Sequence, residues 1–225
     1  MGMYTSHHLT ARMNWPGLLF LAFVRRYCSL RVIGLDHVPA SGAFILAANH
    51  ASHADTAVIF ASLPPPHRKK VLAAAARDYF FDNGLRQYVS RVLFNTIPVA
   101  REPKKGEDPL RHVVRALREE YGVLLFPEGT RNQSGTIAPF RSGIGRLIAE
   151  FPGLTVIPTL LEGTAEVMPK KAWFPHPHPV TLRYGAPIAG LHADLEDKAS
   201  WRAAAEKVRE AVIHLKDEQP AGADT

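Results

Sequence analysis

The stretch that decides the fold is AFILAANHASHAD, residues 43–55, in which an apolar run ends in a polar segment. The apolar residues 43–48 are typical of a buried strand. The next three residues predict a tight turn, and a helix is expected from about Ser52 or His53 to residue 62, with Ser52 as a candidate N-cap. A strand, a turn and a helix in direct succession are typical of an α/β domain.

His50 and Asp55 lie five positions apart in this segment, so a continuous helix would place them on different faces. We therefore expect His50 in the turn and Asp55 in the first turn of the helix, where the helix dipole favours a carboxylate. A histidine can take a proton near neutral pH, and a carboxylate that accepts from one ring nitrogen fixes the tautomer. The pair fits a general base for acyl transfer. In the alternative interpretation, Asp55 is only a first-turn acid and His50 a surface residue.

A second polar segment, PEGTR (residues 127–131), follows the apolar run 122–126. A glycine at position 129 lets the backbone approach a ligand, and Thr130 offers a hydroxyl. Arg131 offers a bidentate donor fork suited to phosphate. Glu128 is expected to orient these donors or the acceptor. An ordinary turn with a surface ion pair is the alternative interpretation.

Taken together, NHASHAD and FPEGTR resemble the glycerolipid acyltransferase family typified by 1-acyl-sn-glycerol-3-phosphate acyltransferase. Two lesser motifs of that family are similar to residues 97–101 (IPVAR) and 156–158 (VIP), so the resemblance spans about residues 34–163. Segment 139–143 (PFRSG) resembles the family's Phe-Lys-x-Gly, with arginine where lysine is commoner. Asn132 and Pro98 depart from the family pattern, and Pro98 lies in a region that helps to choose the acceptor.

The resemblance implies that His50 is the general base on the acceptor hydroxyl and that Asp55 orients it. It implies an acyl thioester donor, acyl-CoA or acyl-carrier protein, as co-substrate, and no cofactor or metal ion. The implied acceptor is a lysophospholipid, first of all 1-acylglycerol-3-phosphate, which would give phosphatidic acid. The alternative acceptors are another lyso-lipid and glycerol 3-phosphate. The acceptor-site residues it implies are Arg101, Glu128, Gly129, Thr130 and Arg131.

Two other functions stay open beside this one. A metal-dependent hydrolase would use side chains of the types that bind zinc or iron, namely His50, His53, Asp55, His176 and His178. It would leave FPEGTR unexplained, and the histidines have no recognisable metal spacing. A non-catalytic lipid-binding protein would have the same membrane affinity but no need for His50.

Charge and composition limit the kinds of molecule that the protein is expected to bind. The net charge of +6, from 27 basic and 21 acidic residues, favours an anionic partner such as a phospholipid surface, coenzyme A or nucleic acid. No recognisable nucleic-acid module is present, so nucleic acid is not expected.

The single cysteine, Cys28, lies outside both motifs and is a poor candidate nucleophile. A lone cysteine also favours a reducing compartment, and we expect a peripheral or monotopic protein at the cytoplasmic face of a membrane.

The alternation of apolar runs predicts a single α/β domain with a central mixed sheet flanked by helices. We expect an N-terminal amphipathic helix within residues 1–30, an acyltransferase domain over 31–216 and a flexible tail over 217–225. The predicted strands are 30–33, 43–48, 71–75, 97–100, 123–126, 155–161 and 180–184. The other predicted helices are 108–121, 142–150 and 195–216.

Three segments are candidates for contact with lipid. Residues 16–24 (PGLLFLAFV) make up about half of the ~20 residues that cross a bilayer, and Arg25 and Arg26 follow where a signal peptide would have small residues. Such a helix fits the membrane interface and the protein core equally well. Residues 78–94 favour core packing slightly. Loop 170–179, with Trp173 and Phe174, fits membrane docking, an acyl groove or an ordinary proline-rich loop.

Overall fold

The computed structural model describes residues 15–76, 94–100, 104–169 and 174–218. Seven strands form one sheet: β1 (Arg31–Ile33), β2 (Phe44–Ala48), β3 (Val71–Ala76), β4 (Thr96–Val99), β5 (Gly122–Leu125), β6 (Thr155–Glu162) and β7 (Thr181–Tyr184). Their order across the sheet is β1-β7-β6-β2-β5-β3-β4. Only β6 and β7 pair antiparallel, and all the other neighbours are parallel. The predicted mixed sheet is confirmed, with each strand within two residues of its expected bounds.

Helices lie on both faces of this sheet. They are α1 (Trp15–Tyr27), α2 (Asp55–Ser62), α3 (Pro65–Arg68), α4 (Arg111–Arg118), α5 (Gly143–Glu150), α6 (Thr164–Val167) and α7 (Lys198–His214), with a 3₁₀ turn at Leu35–His37. α7 begins later than predicted because the carboxylate of Asp197 accepts from the N–H groups of Ala199 and Ser200 and caps the helix there. The predicted α/β architecture with an N-terminal helix is confirmed.

Strand β2 is buried on both faces, which explains its unbroken apolar run. Ile45 and Ala47 face a core built with α4, α5 and α7. Phe44, Leu46 and Ala48 face a second core built with α1 and α2. The centre of the sheet, where the site lies, is therefore held from both sides.

Helices α5 and α7 approach each other closely on the first face. A Cβ at Gly145 of α5 would overlap the backbone carbonyl of Trp201 in α7, so only glycine permits this contact. One face of α7 is buried, at Ala205, Val208 and Val212. This packing fixes α5, which begins just after the loop that follows FPEGTR.

The N-terminal helix α1 has one buried and one exposed face. Leu21 and Val24 pack into the second core. Leu19 is 62% exposed and Phe23 56% exposed, and Trp15 is also exposed. The core interpretation of this segment therefore holds for the buried face, and the interfacial interpretation stays a prediction for the exposed face. Among the described residues, no helix is both long enough and apolar enough to cross a membrane.

Some predictions fall on parts of the chain outside the described residues. These include the acceptor-site candidate Arg101, Trp173 of the proline-rich loop, and all of segment 78–94 except Phe94. Phe94 is partly buried and meets Phe60 edge to face, with ring centroids 5.7 Å apart. The expected core packing therefore holds for that one residue.

Candidate active site

The two polar segments meet because the strands that carry them are neighbours. β2 and β5 are parallel and adjacent, with Ala47 in register with Leu125. Residues 49–55 and 126–131 therefore leave the sheet at the same edge. The carboxyl ends of parallel strands are where α/β proteins most often place ligands.

His50 and Asp55 form a directly bonded pair at this edge. The Nδ1 atom of His50 lies 2.8 Å from Oδ2 of Asp55. The Asp55 side chain is fully buried, whereas that of His50 is 17% exposed. The ring of Phe126 stacks on the imidazole, with centroids 4.2 Å apart. Nε2 of His50 accepts or donates no hydrogen bond within the described part of the chain and is the nitrogen left for chemistry.

Asp55 also shapes the turn that precedes it. Oδ2 accepts from the N–H groups of Ala51 at 2.8 Å and Ser52 at 2.9 Å, besides its bond to His50. Helix α2 consequently begins at Asp55, and the prediction of Ser52 as N-cap is wrong. Ala54 occupies the N-cap position without a side-chain bond. Ser52 Oγ instead accepts from the N–H of Ala54 and donates to the carbonyl of Met168.

Asn49, to which the sequence analysis assigned no role, fixes the turn to the other neighbouring strand. Its amide donates to the carbonyl of Leu161 in β6 at 3.0 Å and accepts from the N–H of the same residue at 2.8 Å. The side chain is buried. The sequence shows only that an amide follows the apolar strand, and the strand that supplies its partners is visible only in the structure.

Glu128 joins the turn of His50 to a third loop. Its carboxylate accepts from the N–H of His50 at 2.7 Å through Oε1 and from the N–H of Ala138 at 3.0 Å through Oε2. The N–H of Asn132 donates to the carbonyl of His50 at 2.7 Å. Both carboxylate oxygens therefore accept from backbone N–H groups that shape the site. We had expected Glu128 to orient the donors of its own turn or the acceptor substrate.

The environment of Glu128 is apolar enough to alter its ionisation. The residue is 5% exposed, and this burial raises the pKa of its carboxyl above the ordinary value. The two backbone N–H groups that it accepts oppose part of that shift. Protonation would reduce its capacity to accept at both oxygens, so the ionised form suits its position best.

The remaining residues of FPEGTR form an open turn. Gly129 has a φ of 73°, in the left-handed region that favours glycine, and its N–H donates to the carbonyl of Phe126 at 3.0 Å. Thr130 and Arg131 are exposed. Arg131 has no hydrogen bond or ion pair with any described residue, so its guanidinium is available to a ligand.

A sequence model of the family described as Acyltransferase matches residues 29–162. This chain belongs to the acyltransferase family. The matched region runs from the end of α1 to the end of β6 and includes both NHASHAD and FPEGTR. The resemblance drawn from those motifs is confirmed.

Other members of the acyltransferase family are similar to this chain over most of its length. The chloroplast 1-acyl-sn-glycerol-3-phosphate acyltransferase of Brassica napus is 26% identical over 198 residues, 84% of this chain and 52% of that protein. Human 1-acyl-sn-glycerol-3-phosphate acyltransferase alpha is 25% identical over 63% of this chain and 48% of its own. This chain spans about half the length of such relatives.

A solved structure shares the fold. The crystal structure of the 1-acyl-sn-glycerophosphate acyltransferase PlsC from Thermotoga maritima has a TM-score of 0.66 and 22% sequence identity, over 90% of this chain and 80% of that one.

Three other histidines, His53, His176 and His178, were candidates for a metal site in this acyltransferase family member. His53 and His176 are exposed. The Nδ1 atom of His178 bonds the carbonyl of Pro179. In the portions of the chain that the structure describes, no three His, Cys, Asp or Glu side chains form a group that could hold a metal ion. The hydrolase hypothesis gains no support from these residues.

Proposed function

We propose that this protein is an O-acyltransferase that moves a fatty acyl group from an acyl thioester to the free hydroxyl of a lysophospholipid. The observation that carries the proposal is the His50–Asp55 pair, with Nδ1 and Oδ2 2.8 Å apart and Nε2 without a hydrogen bond to any described residue. The donor is acyl-CoA or acyl-carrier protein, and the first acceptor is 1-acylglycerol-3-phosphate, which gives phosphatidic acid. The names of the relatives support this acceptor.

The chemistry needs a base where His50 lies. As the acceptor oxygen attacks the thioester carbonyl, Nε2 of His50 takes the hydroxyl proton, and Asp55 stabilises the imidazolium through Nδ1. The C–S bond then breaks, and the departing thiolate receives that proton and leaves as a thiol. A positioned base contributes roughly 10²- to 10⁴-fold in rate, and holding the two substrates together contributes more. Direct attack requires no covalent acyl-enzyme.

Glu128 supports this role by holding the backbone of the base. Its bond to the N–H of His50, with the bond from Asn132 to the His50 carbonyl, fixes the main chain on both sides of the imidazole. Phe126 limits the rotation of the ring. We propose that Glu128 is a positioning residue, and that Thr130, Arg131 and Arg101 contact the acceptor.

We also propose that the exposed face of α1 lies in the interface of a membrane, where both lipid substrate and product reside. Leu19 and Phe23 offer apolar area, and Arg25 and Arg26 at the end of the helix suit anionic headgroups. The proline-rich loop lies beside this face, because the hydroxyl of Tyr27 donates to the carbonyl of Pro175 at 2.8 Å. Phe174 in that loop is 77% exposed. Attachment would be peripheral or monotopic, at the cytoplasmic face.

The test is acyl transfer by the purified full-length chain, read by mass spectrometry of the lipid product. Acyl-CoA and acyl-carrier protein would be offered as donors to 1-acylglycerol-3-phosphate, other lysophospholipids and glycerol 3-phosphate, with and without a chelator. We expect chelator-resistant phosphatidic acid from at least one donor. A chelator-sensitive hydrolytic product would support the metal hydrolase instead, and tight lipid binding without any product would support the lipid-binding protein.

A further inference from the structure

The loop that follows FPEGTR, residues 132–138, is bonded to the site at both of its ends. At its start, the N–H of Asn132 donates to the carbonyl of His50 at 2.7 Å. At its end, the N–H of Ala138 donates to Oε2 of Glu128 at 3.0 Å. Between these ends, the chain is exposed over four consecutive residues. Burial therefore contributes little to the position of this loop, which depends on its hydrogen bonds to the rest of the protein.

Arg209 of α7 binds the same end of loop 132–138. Its Nη2 atom donates to the carbonyl of Ile137 at 2.9 Å, and its Nε atom lies 3.2 Å from the carbonyl oxygens of both Ile137 and Ala138. Its Nη1 atom donates to the carboxylate of Glu206 at 2.7 Å, one turn back along the helix. The side chain of Arg209 is 24% exposed. The planar guanidinium is therefore fixed by its own helix while it binds the loop.

Helix α7 gives Arg209 a firm support. Val208, the preceding residue, and Val212 are fully buried in the core that α7 shares with α4 and α5. Gly145 of α5 permits close approach to the backbone of Trp201 in α7. The helix lies beyond residues 29–162, the region that the family model matches. An element outside the matched region is thus packed onto the sheet and bonded to a loop of the site.

One peptide group connects Arg209 to Glu128. The carbonyl of Ile137 and the N–H of Ala138 belong to the same peptide group, whose atoms lie close to one plane. Arg209 binds its oxygen and Glu128 binds its N–H, so a tilt of the peptide at one end disturbs the bond at the other. The cation also polarises the peptide, which strengthens the N–H as a donor to the carboxylate. A continuous chain of hydrogen bonds therefore runs from Arg209 through Glu128 to the N–H of His50.

We propose that Arg209 is a positioning residue for the acyl-transfer reaction and that it acts on His50 through Glu128. Its guanidinium holds the peptide between residues 137 and 138, the peptide holds the carboxylate, and the carboxylate holds the backbone of the base. The inference rests on the proposed function, and it assigns part of the active site to α7. Loss of Arg209 should misplace the imidazole relative to the acceptor hydroxyl without altering the binding of either substrate.

Steady-state kinetics of Arg209→Gln tests the proposal, with Arg202→Gln as the matched control because Arg202 is an exposed arginine on the same helix. We expect kcat to fall about five- to fiftyfold with both KM values nearly unchanged, which is less than the ~10²-fold that a shift of about 1 Å can cause. Arg209→Lys should recover part of the rate, because lysine keeps the cation but not the fork. An unchanged kcat, or a rise in KM at constant kcat, would overturn the proposal.

A double-mutant cycle shows whether Arg209 acts through Glu128. In Glu128→Gln, either orientation of the amide breaks one link of the chain, since its NH₂ group cannot accept from a backbone N–H. We therefore expect Arg209→Gln to lower kcat in the wild-type background and to cause no further fall in the Glu128→Gln background. The same fold-loss in both backgrounds would overturn the proposal, because a purely structural effect of Arg209 would be independent of Glu128.

Amide hydrogen exchange separates failure of this proposal from failure of the proposed function, because it requires no activity. In Arg209→Gln, the N–H groups of Ala138 and His50 should exchange roughly threefold faster or more, relative to those of strand β2, which report global opening. Faster exchange at these two positions supports the positioning role even when the wild-type protein transfers no acyl group. Unchanged exchange overturns it, whether or not acyl transfer is seen.

Discussion

The N–H of His50 donates to Oε1 of Glu128 at 2.7 Å across 78 positions of sequence. This bond joins the segment after β2 to the segment after β5, so the two motifs of the chain form one unit. The acid of FPEGTR acts on the backbone of the histidine of NHASHAD. Glu128 can therefore affect the reaction without contacting a substrate, because it holds the backbone of His50.

Replacing Glu128 with glutamine tests this bond. Glutamine keeps the shape but presents an NH₂ where one oxygen accepted, which leaves the N–H of His50 or of Ala138 without an acceptor. A buried N–H without a partner costs about 1–3 kcal/mol. We expect kcat to fall, up to about 10²-fold as the base loses its placement, with KM for the acceptor nearly unchanged.

Steady-state kinetics and urea unfolding measure the two effects of Glu128→Gln. Glu166→Gln, at an exposed glutamate, should change neither. An acceptor KM that rises while kcat stays constant would contradict the positioning role and return Glu128 to the acceptor site, as the family resemblance implied.

Replacing Asp55 with asparagine removes a charge with little change of structure. Oδ2 accepts three bonds, whereas Oδ1 is buried without a hydrogen-bond partner among the described residues. An asparagine can keep the three bonds through its oxygen and place its NH₂ at the Oδ1 position. The imidazolium that forms during proton transfer then lacks its counter-ion, and we expect kcat to fall by roughly 10²-fold or more.

Turnover with saturating donor and acceptor measures that loss. Asp36→Asn, at an exposed aspartate, is the control and should retain full activity. Full activity in Asp55→Asn would show that His50 works without the carboxylate.

Sequence reasoning identified the elements because their signals are local. β2 is an apolar run from Phe44 to Ala48 that is buried on both faces, and α7 shows its core face at helical spacing. The pairing of β2 with β5 is not local, since it depends on which strands become neighbours. The family resemblance assigned residues of both motifs to one reaction, and the physical cause of their meeting is visible only in the sheet order.

Side-chain bonds to backbone groups are what the sequence did not predict, and one of them makes the prediction of Ser52 as N-cap wrong. Serine is a residue type that favours the N-cap position. The carboxylate of Asp55 nevertheless accepts from the N–H groups of Ala51 and Ser52, and the helix begins at Asp55 instead of Ser52. Glu128 lies where an acid often contacts a ligand, but its hydrogen-bond partners in the structure are the N–H groups of His50 and Ala138, 78 and 10 positions away. Asn49 bonds β6, 112 positions away. Propensity and spacing contain no information on such bonds.

A charged residue on the exposed face of α1 tests the proposed membrane contact. Leu19 is exposed and Leu21, two positions along, is buried in the second core. We expect Leu19→Asp to weaken binding to anionic phospholipid vesicles without lowering the free energy of unfolding. Leu21→Ala should instead cost about 2–5 kcal/mol of stability, because it opens a cavity. Vesicle sedimentation measures the binding, and urea unfolding measures the stability. Unchanged vesicle binding in Leu19→Asp would count against membrane contact through the exposed face of α1.

The ion pair between Asp108 and Arg146 predicts a pH dependence of stability. The hydrogen bonds from Arg146 lower the pKa of the Asp108 carboxyl below its ordinary value. The stabilisation is therefore fully present above the ordinary pKa, about 4, and is lost as the pH falls through the lower folded value. The pair is partly exposed, so Asp108→Asn should lose up to about 1 kcal/mol at pH 7.

Urea unfolding of the wild type and Asp108→Asn at pH 7, 5 and 3.5 checks the sign. The difference between the two proteins should stay constant from pH 7 to 5 and shrink by pH 3.5. A difference that grows on acidification would mean that the pKa of Asp108 is raised instead.

The most direct test of the central claim is product formation by His50→Ala beside His53→Ala, with acyl thioester and 1-acylglycerol-3-phosphate, measured by mass spectrometry of phosphatidic acid. The two histidines lie in one motif, but only His50 is bonded to Asp55 at 2.8 Å. We expect His53→Ala to form product at nearly the wild-type rate and His50→Ala to lose roughly 10²-fold or more. Equal rates for His50→Ala and the wild type would contradict the assignment of His50 as the general base.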